Sequence, residues 1–169
     1  MSNELKPMID RLLETINAAG YSIVTSQDGS WCLYNLGGEV KMYLLQAEDR
    51  FVVSRAERSG EEEVFFASQS IVDIELALLH CFTNLFRRRE HQPFLVATPV
   101  PISPRKAAPG FTVSHSPDGT WLLQSTAGAP ERTGRMITLV EFSYYAHMRP
   151  YDLWKAMNLQ EDSPFQPLT

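Results

Sequence analysis

The spacing of apolar residues predicts three helices. Between residues 5 and 19 apolar side chains recur every three or four positions, which is typical of an amphipathic helix that packs one face on a core. Residues 70–89 show the same spacing with a broader apolar face, and Ser70 and Asp73 occupy the N-cap and capping-box positions at its start. A shorter helix is predicted over residues 150–159.

Apolar and polar residues alternate in much of the remaining chain. This alternation predicts β-strands, because neighbouring side chains of a strand point to opposite faces. The first half contains about five such segments, at residues 21–25, 31–35, 40–46, 51–55 and 64–68. The second half contains two short strands and one long strand, at residues 111–115, 121–125 and 135–146. The strands of each half are expected to form an antiparallel meander.

One segment of the chain occurs twice. Gly20–Asn35 aligns without a gap with Gly110–Ser125, ninety positions later. Each copy has the form of a hairpin: an alternating strand, an Asp-Gly turn, and a second strand that opens on Trp31 or Trp121. A repeat that is seen twice indicates a duplicated half-domain.

The repeat predicts how the chain is organised. We expect an α+β protein of two duplicated halves, each an antiparallel β-meander followed by a helix, with an additional N-terminal helix. The expected parts are an N-terminal half (residues 1–90), a proline-rich connection (91–109) and a shorter C-terminal half (110–169). From the hairpin Asp to the helix Asp, the copies span 45 residues (Asp28 to Asp73) and 34 residues (Asp118 to Asp152). The second copy therefore lacks about the length of one hairpin.

Composition and charge exclude some classes of binding partner. The 169 residues are 44% hydrophobic and the net charge is −5, with 14 acidic and 9 basic residues in the first 90 and 6 of each in the rest. A nucleic-acid-binding protein normally has a basic face, so no nucleic-acid partner is expected. The sequence shows no signal-peptide core and no apolar run that could cross a bilayer, so no membrane partner is expected. Cys32 and Cys81 lie among apolar neighbours and are interpreted as buried thiols of a cytoplasmic protein.

The chain contains no recognisable catalytic or cofactor motif. Its four histidines lie in four different segments without metal-ligand spacing, and there is no phosphate loop, dinucleotide fingerprint or nucleophile elbow. Trp31 and Trp121 are candidates for stacking on a ligand, but their equivalent positions in the repeat favour packing in the core. We therefore expect no enzyme activity and no cofactor, and a function in binding another macromolecule.

Three segments resemble a known family. They are the repeated hairpin, in which Gly-[Tyr/Phe]-x-[Ile/Val] precedes Asp-Gly-[Ser/Thr]-Trp, the segment EFSYY at residues 141–145, and PYDLWKAM at residues 150–157. With them the chain resembles the immunity protein 61 family over about residues 6–160. The resemblance implies a cytosolic antitoxin of an actinobacterium, such as a mycobacterium, that forms a one-to-one complex with its cognate toxin. The best-known member type covers the NAD-binding cleft of a secreted NAD glycohydrolase, the necrotizing toxin.

Three groups of residues are candidate toxin contacts. The first is the turn after the long helix, Arg89-Glu90-His91-Gln92-Pro93, which is either a plug for the toxin cleft or an ordinary connecting loop. The second is the acidic run Glu61-Glu62-Glu63, which is either a solvated turn or a steering surface for a basic partner. The third is the pair Tyr144 and Tyr145, one of which a strand would expose. The triplet at residues 87–89 suits the negative end of the helix dipole, with an anion site as the alternative.

Two other functions fit the same sequence. A cytoplasmic chaperone of a secreted effector would share the size, acidity and mixture of helix and sheet, but it would bind an extended segment and leave the catalytic domain of the effector free. An enzyme or ligand-binding domain that uses the two tryptophans would need a pocket between the halves. The resemblance favours the toxin inhibitor over both.

Overall fold

The computed structural model describes residues 4–26, 29–58, 60–159 and 163–168. The helices of these ranges are α1 (Leu5–Ala18), α2 (Ile71–Arg89), α3 (Met136–Tyr145) and α4 (Pro150–Leu159). The strands are β1 (Tyr21–Thr25), β2 (Trp31–Asn35), β3 (Val40–Ala47), β4 (Arg50–Glu57), β5 (Glu63–Ser68), β6 (Leu95–Val96), β7 (Phe111–His115), β8 (Trp121–Ser125), β9 (Arg132–Gly134) and β10 (Gln166–Pro167). The three predicted helices and the five predicted strands of the first half are confirmed.

Eight of these strands form one antiparallel sheet in the order β1-β2-β3-β4-β5-β9-β8-β7. The two copies of the repeated hairpin, β1–β2 and β7–β8, therefore lie at opposite edges. The halves meet where β5 pairs with β9, with Phe66 opposite Gly134 and Ala67 opposite Thr133. A Cβ atom at Gly134 would lie 2.5 Å from the Phe65 carbonyl oxygen, so glycine is needed for this close approach. The structure confirms the α+β class and the duplicated halves.

The hairpin that the second copy lacks is β3–β4. In the first half this hairpin separates β2 from β5, whereas in the second half β8 pairs directly with β9. A helix follows the last strand of each half, since α2 follows β5 and α3 follows β9. The deduction of a lost hairpin was therefore correct, but it aligned α2 with α4 where the structural counterpart is α3.

The predicted strand at residues 135–146 is wrong, because most of this segment forms α3. Its β-branched and aromatic residues favour a strand by propensity. The helix is buried on several sides, and its buried residues are Leu139, Val140, Glu141, Phe142, Ser143 and Tyr145. Because α3 is buried on several sides and its exposed residue Ile137 is apolar, its sequence lacks the single apolar stripe that identified α1 and α2.

The described helices all pack on one face of the sheet. Helix α2 lies in the centre of this layer, against α1, α3 and α4 and over β4 and β5. The sheet contributes the inward side chains of the core, which include Leu33, Met42, Leu44, Val53, Phe66 and Leu123. Trp31 and Trp121 are half-buried against this core, which agrees with the core-packing interpretation.

A buried ion pair joins the two halves. The guanidinium of Arg132 in β9 donates to both carboxylate oxygens of Asp73 in α2, at 2.7 Å from Nε and 3.2 Å from Nη2. Asp73 also accepts a hydrogen bond from Ser68 Oγ at 2.7 Å, and the guanidinium lies 5.5 Å from the centre of the Phe142 ring. Because a guanidinium binds a carboxylate in a fixed two-point geometry, the pair sets the position of β9 relative to α2.

Removal of one partner of this pair is expected to destabilise the protein strongly. Arg132→Met leaves the Asp73 carboxylate buried without its counter-charge, which should lower the free energy of unfolding by about 3–5 kcal/mol. The double variant Arg132→Met/Asp73→Asn leaves no unpaired buried charge. Its loss in free energy of unfolding should therefore be smaller than the sum of the losses of the two single variants. Urea denaturation of the three variants measures these losses. Additive losses would contradict the coupling.

Candidate functional site

Two of the three candidate groups lie at the same end of the sheet. The strand register places the start of β1, the β2–β3 turn, the β4–β5 connection and the β7–β8 turn at this end. Helix α2 also ends here, since Arg89 at its C-terminus reaches the end of α1, which leads into β1. We call this part of the molecule the turn end. It holds the acidic run Glu61–Glu63 and the turn Arg89–Pro93.

The turn Arg89–Pro93 is exposed at its tip and fixed at its base. The Gln92 N–H donates to the Arg87 carbonyl at 2.8 Å, and the His91 N–H donates to the Arg88 carbonyl at 3.1 Å. These are the two bonds of a Schellman C-cap, in which His91, with φ of 55°, takes the left-handed position where glycine is usual. Glu90, His91, Gln92 and Pro93 are all exposed. The turn is therefore a rigid polar projection.

Two arginines hold this turn against the helical layer. Arg87 Nε donates to the Pro93 carbonyl at 2.9 Å and closes the turn on itself. Arg89 Nη1 donates to the Ala18 carbonyl, at the C-terminus of α1, at 3.1 Å. Cationic side chains that bind helix carbonyls are favourable at helix C-termini. The contacts of these two arginines favour the helix-terminus interpretation of the triplet over an anion site.

The acidic run is partly tied to its neighbours. Glu63 accepts a hydrogen bond from Arg135 Nη2 at 2.8 Å, and Glu62 accepts one from Ser54 Oγ. Glu61 is exposed at the β4–β5 connection. Glu61 is thus the member of the run at which a change of charge disturbs the fewest described contacts.

The two tyrosines lie in α3 and not in a strand. Tyr145 is 1% exposed, and its ring stacks on that of His80 with 4.9 Å between the ring centres. Tyr144 is half-buried, and its hydroxyl donates to the Lys106 carbonyl at 2.8 Å. Neighbouring helix residues point about 100° apart, so the alternation of a strand, from which the exposure of one tyrosine was inferred, does not apply here. Both rings help to hold the helical layer together.

A buried polar cluster, which the sequence analysis missed, attaches the proline-rich connection to α2 and α3. Asn84 in α2 makes two hydrogen bonds to the backbone of Leu95, accepting from its N–H at 2.8 Å and donating to its carbonyl at 3.0 Å. Glu141 in α3 accepts from the Ala97 N–H at 2.7 Å. His80 Nε2 lies 3.9 Å from Glu141 Oε2. The sequence does contain one signal of this cluster, namely a polar residue, Asn84, between the apolar positions of a predicted helix.

Burial shifts the titration of this cluster. It raises the pKa of Glu141 to about 7, while the Ala97 and Thr98 backbone hydrogen bonds act in the opposite direction. It lowers the pKa of His80 to about 4, so this imidazole is neutral near pH 7. Burial also raises the pKa of the neighbouring Cys81 thiol to about 11, so Cys81 is not a thiolate nucleophile at neutral pH. The cluster therefore has the character of a structural network.

Within the described ranges, no three His, Cys, Asp or Glu side chains are grouped so that they could hold a metal ion. No helix of the described part of the chain is both long and apolar enough to cross a membrane.

These features define a two-layer α+β protein with the described helices on one face of an eight-stranded antiparallel sheet. The sequence model of the immunity protein 61 family matches residues 15–165, and the chain belongs to this family. A solved structure, that of Rv3902c from M. tuberculosis, is similar over 93% of this chain and 92% of that chain, with a TM-score of 0.78 and 21% sequence identity, which shows a shared fold. No curated protein sequence matches the chain. Family membership supports an antitoxin role, with a toxin protein as the partner.

The two shifted groups of the buried cluster affect stability in opposite directions. The folded pKa of Glu141 lies above its ordinary value of 4.5, so its contribution is complete below pH 4.5 and is lost as the pH rises to about 7. The folded pKa of His80 lies below its ordinary value of 6.5, so its contribution is complete above pH 6.5 and is lost as the pH falls towards 4. The two effects offset each other between pH 4.5 and 6.5.

Glu141→Gln should therefore change how stability depends on pH. The free energy of unfolding of the unmodified protein, minus that of the variant, should be largest near pH 4.5 and should decrease by up to about 1.4 kcal/mol per pH unit towards pH 7. Urea denaturation at pH 4.5, 5.5, 6.5 and 7.5, taken as round test values near these shifts, measures the difference. Glu90→Gln, at an exposed position, is the control for the loss of one carboxylate elsewhere in the chain. A parallel curve for Glu141→Gln would contradict the assignment.

Proposed function

We propose that this chain is an antitoxin that forms a one-to-one complex with a secreted NAD-glycohydrolase toxin in the cytosol and blocks the NAD-binding cleft sterically. Membership of the immunity protein 61 family supports the antitoxin role. The resemblance carried by the repeated hairpin and by residues 141–145 supports this type of toxin. The antitoxin acts by occupying the cleft and needs no catalytic group of its own.

The observation that carries this proposal is the rigid, polar turn Arg89–Pro93. An inhibitory loop that is already fixed loses little conformational entropy when it binds. Its side chains offer hydrogen-bonding groups that suit a cleft built for the ribose and phosphate groups of a dinucleotide. A cleft that binds phosphates is expected to be basic, and the net charge of −5 of this chain is complementary to it. In this proposal Gln92 lies at the tip that enters the cleft.

Gln92→Trp should weaken inhibition without unfolding the protein. The side chain of Gln92 is exposed, and the described cap uses its backbone N–H, so a larger side chain clashes with the cleft and not with the fold. The inhibition constant against NAD hydrolysis by the cognate toxin should rise by at least about tenfold, equal to about 1.4 kcal/mol. Gln46→Trp, an exposed position near the opposite end of β3, is the control. If Gln92→Trp inhibited the toxin as well as the unmodified protein does, the proposal that this turn enters the cleft would be wrong.

Glu61→Lys should slow association and leave dissociation unchanged if the acidic run steers the toxin. Long-range attraction acts on the encounter and is screened by salt, so the effect should be greatest at low ionic strength. Stopped-flow association at low and high salt, with dissociation measured by competition, separates the two rates. An unchanged association rate at low salt would leave the run as a solvated turn.

The target itself is tested by purifying a tagged copy of this chain from cells of its source together with its partner. The partner should hydrolyse NAD only after the antitoxin has been removed. A partner that is exported, and whose activity is the same with and without this chain, would instead support the chaperone function.

A further inference from the structure

The sheet face opposite the helices carries two rows of mostly apolar side chains. The register makes the members of each row neighbours across strands. The first row crosses β1 to β5 and consists of Val24, Cys32, Tyr43, Ser54 and Val64. The second row crosses β3, β4, β5, β9 and β8 and consists of Leu45, Val52, Ala67, Thr133 and Leu122. At about 4.8 Å per strand, each row is about 20 Å long.

These rows lie on the face that the described helices do not cover. Val24 and Val64 are 47% and 46% exposed, Cys32, Tyr43, Leu45, Val52 and Leu122 are half-buried, and Ser54, Ala67 and Thr133 are buried. A solvated face of an antiparallel sheet is normally polar, so alternation gives one apolar and one polar face. Contiguous apolar side chains on an open face are typical of a protein interaction site.

A hollow opens where the second row reaches the turn end. Its volume is about 920 Å³, and it lies between the face of β4, β5, β9 and β8 and the β7–β8 turn. Apolar lining on this face comes from Val52, Val64, Ala67 and Leu122. The hollow gives this otherwise open face a concave pocket for side chains of a partner.

The charged residues around the hollow are predominantly acidic. Glu63, Asp118 and Glu131 line it, against Arg50 and Arg135. Arg135 forms an ion pair with Glu63 at 2.8 Å. The other charged residues that line the hollow are the acids Asp118 and Glu131 and the base Arg50. The hydrogen bond from the Thr120 N–H lowers the pKa of Asp118, so this carboxylate stays charged. The hollow therefore suits a cationic side chain.

We propose that this sheet face, with its two rows and the hollow, is the broad interface that binds the toxin. The matching toxin surface has an apolar centre and presents arginine or lysine side chains to the hollow. The stem of such a side chain packs on Val52 and Leu122 while its charged end lies near Asp118 or Glu131. This inference rests on the proposed antitoxin function, and it places the interface next to the turn end, where the proposed plug also lies.

Cys32 provides a direct test, because it lies in the middle of the first row. In the complex with the toxin, the rate of alkylation of Cys32 by iodoacetamide should fall by at least tenfold relative to the free chain, as measured by mass spectrometry. Cys81, which lies in α2 on the covered side of the sheet, is the internal control, and its slow rate should not change. An unchanged Cys32 rate in an intact complex would overturn the proposal.

A matched pair of valines provides the second test. Val64, in the first row, and Val72, in α2, are 46% and 44% exposed, so lysine should be tolerated at either position. Val64→Lys places a cation against the cationic toxin surface and should raise the Kd at least tenfold, whereas Val72→Lys should leave the Kd unchanged. Circular dichroism confirms that both variants fold. The proposal would be overturned if the two variants had equal Kd values, or if Val72→Lys raised the Kd more than Val64→Lys does.

The outcomes separate this inference from the proposed function. If the toxin is inhibited but Cys32 is not protected, the antitoxin function stands and the interface is wrong. If Cys32 is protected by a bound toxin that does not hydrolyse NAD, the interface stands and the NAD-glycohydrolase target is wrong. If protection of Cys32 increases with the concentration of the free chain alone, a second copy covers the face and the interface proposal is overturned.

Discussion

The joint between the two halves depends on the buried pair of Asp73 and Arg132. The sheet crosses this joint through only two register pairs of β5 and β9 among the described residues. Such a short ladder resists bending poorly by itself. The bidentate contact from β9 to the start of α2 adds a fixed point in the helical layer, and the Phe142 ring of α3 lies beside the guanidinium. The open face and its hollow span the same joint, so their shape depends on this contact.

Much of the fold could be predicted because the chain repeats itself. The paired Asp-Gly hairpins predicted the duplication, and the shorter second copy predicted a lost hairpin, which is β3–β4, although the spacing was measured to α4 and not to the structural counterpart α3. Helices α1 and α2 could be predicted because each has one apolar face. Helix α3 could not, because its six buried residues leave no polar face, and Val140, Phe142 and Tyr145 have the propensities of a strand. Tertiary packing on β7, β8 and β9 overrides that propensity.

The site was harder to predict than the fold. The turn Arg89–Pro93 could be expected to be exposed, but its rigidity depends on a left-handed histidine and on carbonyls of other segments, which no local pattern shows. The open face could not be identified from the sequence, because in some strands the residues that point to either side of the sheet are all apolar. In Phe51-Val52-Val53 the outer and inner positions cannot be told apart until the place of the helices is known. The contacts of Asn84 and Glu141 likewise join segments that are far apart in sequence.

An interface on the open face, as proposed, has a consequence for which substitutions the fold tolerates. Inner and outer side chains alternate along each strand, so a substitution at Tyr43 or Val64 leaves the neighbouring core residues in place. Buried carboxylates of the helical layer have internal partners, as in the contacts of Arg11 with Glu75 at 2.8 Å and of Asp73 with Arg132. A binding surface on the outer side chains can therefore be altered while the fold is kept. The shared fold with a structure that is 21% identical is what this separation of core and surface predicts.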